Sequence, residues 1–277
     1  QARRTELREL ARLPAAPSTW NELVAYPRGF ESFFDDHFGL RSELVRSHML
    51  LQARLLGVSP SPLVVLGVDG WLYFTKGDIF ADHRGETRLS SAALRQWRLA
   101  LEDRRRWLAD RGATYVFAVA PNKVSIHPEH LPPRLRRDGE VLHRVDQILA
   151  ELRAHSDFEV LDLRPLLRRL AACEHVYHAT DSHWNDIGGF AAYQEVLRQL
   201  AARGADVSPL TADQFDLVRR PRVGDLARLL PHLDYPPESA PFMVPKQPLP
   251  CRRIDVPEEW RKVPAHWGMW EPPTAYE

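Results

Sequence analysis

The stretch His178-Ala-Thr-Asp-Ser-His-Trp-Asn-Asp-Ile-Gly-Gly189 places an aspartate two residues before a histidine, Asp181 and His183, ahead of what reads as a helix. In extended chain, residues i and i+2 face the same side, so the carboxylate can reach the imidazole. Such a carboxylate fixes one imidazole tautomer and stabilises the protonated ring, which is its task beside a general base in acyl transfer. On this reading His183 is the base, Asp181 orients it, and Ser182 points away from both. Two plainer readings stay open. Asp181, Ser182, Asn185 and Asp186 all belong to residue types that cap a helix start. His175, His178, Asp181 and His183 lie within nine residues, but without the i, i+4 spacing of a zinc protease helix, so no metal is expected.

A second group follows the apolar run Thr114-Tyr-Val-Phe-Ala-Val-Ala-Pro121, namely Asn122, Lys123, Ser125 and His127. Asn122 carries an amide N–H₂ suited to an oxyanion hole, although Asn after Pro is also a common turn former. Lys123 can hold an anionic sugar or polarise a site, or stand solvated at a strand end. Trp184 can stack on a sugar ring or fill the core. Asp225 reads as the N-cap of a short helix. Trp71 and Tyr73 alternate with Leu72 and Phe74, so one pair is expected buried and the other partly exposed, lining a groove.

Positioning these residues calls for an α/β scaffold. Residues 1–60 read as a helical N-terminal extension, with a break at Leu13 to Pro17 and then Trp20, Leu23, Phe30, Phe33, Phe34 and Phe38 on a shared apolar face. Leu63 to Phe74 reads as a β-hairpin around Asp69-Gly70. From Ser90 onward, helical stretches alternate with short apolar strands: a helix over 92–110, a strand over 114–121 buried on both faces, a helix over 139–155, a strand over 158–163, a helix over 164–173 with Pro165 in its first turn, a short strand over 175–178, and a helix from Asn185 closed by Gly204. This alternation implies a mostly parallel sheet flanked by helices, whose carboxyl ends gather functional groups. Prolines cluster toward the end of the chain, which predicts a loop-rich region there.

Lys plus Arg and Asp plus Glu are both 37 in 277 residues, so no whole-chain field draws it to nucleic acid or an anionic membrane. Cys173 and Cys251 have no metal-type spacing, and whether they pair stays open. Gln1 opens the chain without an apolar run long enough for a signal or anchor, so such a segment is expected to be absent or removed.

In order and spacing, Gly67-Val-Asp-Gly-Trp-Leu-Tyr-Phe74, Val116 to Pro132, Tyr177 to Leu197 and Gly224-Asp-Leu-Ala-Arg-Leu-Leu230 resemble the alginate O-acetyltransferase family of the AlgJ/AlgX type. The resemblance implies an SGNH-hydrolase-like domain over 61–277. It implies O-acetylation of a bacterial exopolysaccharide or cell-wall polysaccharide through a serine acyl-enzyme, without a cofactor. Asp181 and His183 match the family's triad aspartate and histidine. The implied setting is the periplasm, with anchoring to the inner membrane by a segment upstream of Gln1, and the implied partners are a polysaccharide acceptor and an acetyl-donor membrane protein. The family's nucleophilic serine lies on a later strand-to-helix turn, and no residue here matches it. Ser208 and Ser239, the serines after the dyad, read as loop residues, so the domain is expected to be incomplete at its C-terminal end. Two alternatives remain: an inactive carbohydrate-binding or scaffold member of the acetylation machinery, and an acetylesterase.

Overall fold

The computed structural model describes residues 10–137, 139, 141–230, 233–248, 253–254 and 275–276. Helix α1 (Trp20–His37) starts at a Thr19 capping box with Glu22, and α2 (Arg41–Arg54) follows directly. The expected aromatic face forms on α1 but is not covered: Trp20 is 76% and Phe34 53% exposed. Only Met49, Leu50 and Ala53 of α2 pack against a core cluster, the one built on Val64, Leu72 and Leu226.

β1 (Val64–Leu66) and β2 (Leu72–Phe74) form the antiparallel hairpin. Its turn runs from Val68 to Trp71, with φ of 55° at Asp69 and 79° at Gly70, the left-handed pair that Asp-Gly tolerates. The expectation that one of the pairs Trp71/Tyr73 and Leu72/Phe74 is buried and the other partly exposed holds only for the first pair and for Phe74. Trp71, Leu72 and Tyr73 are all buried and only Phe74 is half-buried, because the hairpin is packed on both sides. Trp71 and Tyr73 enter a cluster with Val124, Leu167, Val176 and Tyr177, while Leu72 and Val64 enter the cluster of Leu226 and Leu230.

After α3 (Ile79–His83), Ser90 caps α4 (Ser91–Ala109) by accepting from Ala93 N at 3.2 Å. β3 (Phe117–Val119) pairs in parallel with β4 (Val160–Asp162) across α5 (Lys123–Ile126) and α6 (Arg144–His155). β3 is not buried on both faces: Ala118 is exposed and its neighbours half-buried, since β4 is its sole strand partner among the described residues. α6 starts at Arg144, five residues later than the pattern predicts, after the N-cap His143, whose N–H donates to Asp146.

α7 (Arg164–Ala171) carries Pro165 in its first turn, as expected. The predicted strand over 175–178 reduces to one bridge, Tyr177 to Trp184, because the chain bends through 179–183 instead of continuing. α8 (Asp186–Ala202) is capped by Asn185 and followed by Gly204 at φ 86°. The region expected to be loop-rich contains β5 (Phe215–Arg222) and β6 (Glu238–Pro245), an eight-pair antiparallel ribbon, with α9 (Asp225–Arg228) between them. Pro221, Pro241 and Pro245 hid it from sequence reading, yet a two-stranded ribbon consists of edges and tolerates proline. The parallel pairing foreseen for most strands holds for β3–β4, and the other described pairs are antiparallel. Among the described residues no helix is long and apolar enough to cross a membrane. The anchor expected before Gln1 and the state of Cys251 lie outside them, while Cys173 is an exposed free thiol.

Candidate active site

Asp181 and His183 meet, though not by strand alternation. The segment folds as an Asx-type turn, with Asp181 Oδ1 accepting from His183 N at 3.0 Å and from His183 Nδ1 at 2.8 Å. That bond places the proton on Nδ1 and leaves the basic lone pair on Nε2, the tautomer a general base requires. Asp181 is 2% exposed, whereas the His183 side chain is 52% exposed, so a buried charge is set behind a ring that faces solvent.

Because the chain bends, Ser182 does not point away. Its Oγ lies 3.2 Å from His183 Nδ1 and donates to Asp225 Oδ2 at 2.6 Å. Asp225 Oδ1 also accepts from Ser182 N at 2.7 Å. Asp225 therefore corrects the capping expectation: Gly224 is the N-cap of α9, and the Asp225 carboxylate braces the Ser182 turn. Ser182 sits on the nitrogen already bound to Asp181, the wrong side for a hydroxyl that must give its proton to Nε2.

Burial opposes the charge on Asp181, but donation from the His183 N–H and ring, from Arg222 and from Asp225 N outweighs it. The carboxyl is held well below the usual carboxylate range. Arg222 Nη2 reaches Oδ2 at 3.0 Å, and Asp225 N donates to it at 3.2 Å. Of the residues read as possible caps for α8, only Asn185 takes that part, while Asp186 accepts from Met243 N.

The turn is clamped from three sides. Lys123 is 5% exposed, not the solvated or sugar-binding lysine the sequence suggests. Its Nζ donates to Leu72 O and Ala179 O, each at 2.7 Å, and to Asp181 O at 3.2 Å, above the Trp71 and Tyr73 rings. Burial pushes its pKa down to about 7, opposed by the charges of Glu238, Asp181 and Asp225. Glu238 accepts from Ala179 N at 2.7 Å and from Thr180 N and Oγ1 at 3.0 and 2.5 Å. Burial opposes its charge too, and the nearby His178 ring together with the bonds from Thr180 and Ala179 brings it down to about 2. Gly224 donates its N–H to Thr180 Oγ1, and a Cβ there would stand 2.2 Å from Thr180 O, so only glycine permits this approach.

Asn122 stands exposed as the N-cap of α5, with no capping bond from its side chain. Trp184 is half-buried against the hairpin cluster. The four residues weighed for a metal do not gather: the His175 ring meets Trp71 edge-on at 4.9 Å, and His178 lies 3.8 Å from Glu238. Asp181, His183 and Asp225 do bring ligand atoms within 4.8 Å of one another. Their carboxylate oxygens, however, face N–H and O–H donors and the Arg222 guanidinium, an arrangement that does not fit a cation. Arg222 and Glu238 escaped sequence reading altogether, since each acts from more than forty residues away and no short motif marks either.

Residues 64–257 match the family described as SGNH hydrolase-like domain, acetyltransferase AlgX. The chain is 29% identical over 246 residues to a probable alginate O-acetylase AlgJ of Pseudomonas fluorescens, covering 84% of this chain and 57% of that protein. Against the protein of the same description from Pseudomonas syringae pv. tomato it is 29% identical over 217 residues, covering 74% and 51%. The chain thus spans about half the length of these relatives. Among solved structures, the O-acetyltransferase domain of Pseudomonas putida AlgJ is 24% identical, with a TM-score of 0.46 over 68% of this chain and 67% of that one. Bacillus cereus PatB1 with a sulfonyl adduct is 17% identical, with a TM-score of 0.49 over 69% and 59%. The chain belongs to the family of AlgX-type acetyltransferases with an SGNH hydrolase-like domain.

Proposed function

We propose that this domain serves the O-acetylation of a bacterial polysaccharide, with His183 as general base and acid and Asp181 as its orienting partner. The observation that carries the reading is the 2.8 Å contact between a buried, hydrogen-bonded carboxylate and Nδ1 of a solvent-facing imidazole. His183 Nε2 takes the proton of a serine hydroxyl as that hydroxyl attacks the acetyl donor, then returns the proton to the leaving group. In the second half, His183 activates a sugar hydroxyl, which takes the acetyl group and releases the serine. The reading requires a serine nucleophile, and none of these 277 residues matches the family's one. Asn122 is our candidate donor to the developing oxyanion. The setting we propose is the periplasm, with the acetyl group delivered by a membrane partner.

The test is intact-mass analysis, after incubation with an activated acetyl ester, of this chain and of a form extended to the relatives' length. An acetyl adduct on the longer form, lost when His183 is replaced by Ala, is the expected result. The absence of a serine matching the family's nucleophile favours a second reading, an inactive glycan-binding member of the same machinery. No adduct on either form would select it.

A further inference from the structure

His127 follows α5 directly, and its side chain is 0% exposed. Its ring is held by two partners of opposite kind. A backbone N–H can only donate, so Val176 N, 3.3 Å from Nε2, requires a lone pair on that nitrogen. The proton therefore sits on Nδ1, where Glu129 Oε1 accepts it at 2.8 Å. Val176 in turn anchors the bridge that closes the Asp181–His183 turn. Its carbonyl accepts from Asn185 N at 3.0 Å, Tyr177 pairs with Trp184, and His178 N donates to His183 O at 3.3 Å.

A second proton on this ring goes to Nε2, where it meets the Val176 N–H, donor against donor. The surroundings add to the opposition. The His175 and His130 rings lie 5.6 and 6.3 Å from that of His127, and the Lys123 ammonium lies 4.6 Å from the Trp71 ring against which His127 packs. Against them stand two carboxylates, Glu129 and, 3.7 Å from His130, Asp69, both more than half exposed and so weakened by water. Tyr73 and Tyr177 direct their hydroxyls to the His127 and Pro121 carbonyls, and Arg136 Nε donates to Leu131 O. Burial holds the imidazole below the ordinary histidine range, opposed by Glu129 and reinforced by His175 and His130.

We propose that His127 is a proton-operated latch on the segment that positions Asp181 and His183: neutral, it holds Val176 in place, and protonated in mild acid it releases Val176 and loosens the turn. Because the folded ring takes its proton less readily than an unfolded histidine, whose ordinary value is about 6.5, the stability it contributes is complete above about pH 6.5. That contribution is lost as the pH falls toward the folded value. The window lies above the one set by Glu238, whose folded value is about 2. The latch does not depend on which reaction the dyad performs, and it is read on the folded chain without turnover.

Amide hydrogen exchange of this chain, followed by NMR from about pH 7.5 to about pH 5, tests it. After correction for the intrinsic pH dependence of exchange, protection of the Val176 amide should fall roughly tenfold or more at the acid end, with the His178 amide following. In His127→Gln, whose side-chain carbonyl replaces Nε2 as an acceptor that does not titrate, both protections should stay level across the range. A second reading needs no variant. The ring-nitrogen signals of the parent should show His127 as the Nδ1–H tautomer at the neutral end and as the cation where protection is lost. Constant Val176 protection in the parent, an equal fall in His127→Gln, or a cationic His127 ring beside a still protected Val176 amide would overturn the proposal.

Discussion

Asp181 and Lys123 are bound through the backbone rather than as an ion pair: the ammonium donates to the Asp181 carbonyl at 3.2 Å, while the Asp181 carboxylate turns the other way, to His183 and Arg222. One residue thus joins a buried clamp to the imidazole. Leu72 explains the arrangement. Facing Leu66 with its backbone groups outward, it donates its N–H to Ala179 O and accepts from Lys123 at its carbonyl, which ties the hairpin edge to the Asp181 turn.

Replacing Lys123 by Met should leave Leu72 O and Asp181 O buried without this donor. At about 1–3 kcal/mol for each unsatisfied group, the loss should lower the melting temperature by at least about 5 °C. An unchanged melting curve would mean that water replaces the ammonium at no cost.

His183→Ala in a serine-containing longer form should reduce acetylesterase turnover by about 10⁴-fold or more. The ring also donates to the buried Asp181 carboxylate, so a stability loss of about 1–3 kcal/mol should accompany it. Kinetics and a denaturant curve on one preparation check both halves.

Ser182→Ala should leave acetyl-adduct formation in that longer form intact, since its hydroxyl sits at Nδ1. Loss of the adduct in a folded Ser182→Ala protein would make Ser182 the nucleophile and remove the case for a serine elsewhere.

Glu238 sets the acid limb of stability. Its folded pKa of about 2 lies below the ordinary value of about 4.3 for an unfolded chain. The depressed pKa makes its contribution complete above about pH 4.3, and that contribution is lost as pH falls toward 2. Glu238→Gln should be less stable at neutral pH, and its melting temperature should fall less steeply than the parent's between pH 5 and 2, which thermal scans across pH would read directly.

Gly224→Ala drives a Cβ into the Thr180 carbonyl and the Asp181 N–H, backbone atoms that cannot rotate aside. A loss of at least about 2 kcal/mol is expected. Because the displaced segment carries Asp181, the His183 ring should also lose its fixed orientation, visible as a shifted imidazole signal in NMR.

By itself, the sequence determined the local devices: the Asp69-Gly70 turn, the Ser90 and Asn185 caps, the helix over Asp186–Ala202, and the nearness of Asp181 to His183, which two residues of spacing all but impose. Each depends on a few neighbouring residues and on backbone preferences that a short window contains. Only the tertiary structure decided what the dyad rests on. Lys123, Arg222, Asp225 and Glu238 come from three separate parts of the chain, and a lysine or glutamate reads as solvated until folding buries it against particular carbonyls or N–H groups. The β5–β6 ribbon was equally hidden, since its arginines and prolines give no apolar alternation and its register comes from pairing across the chain.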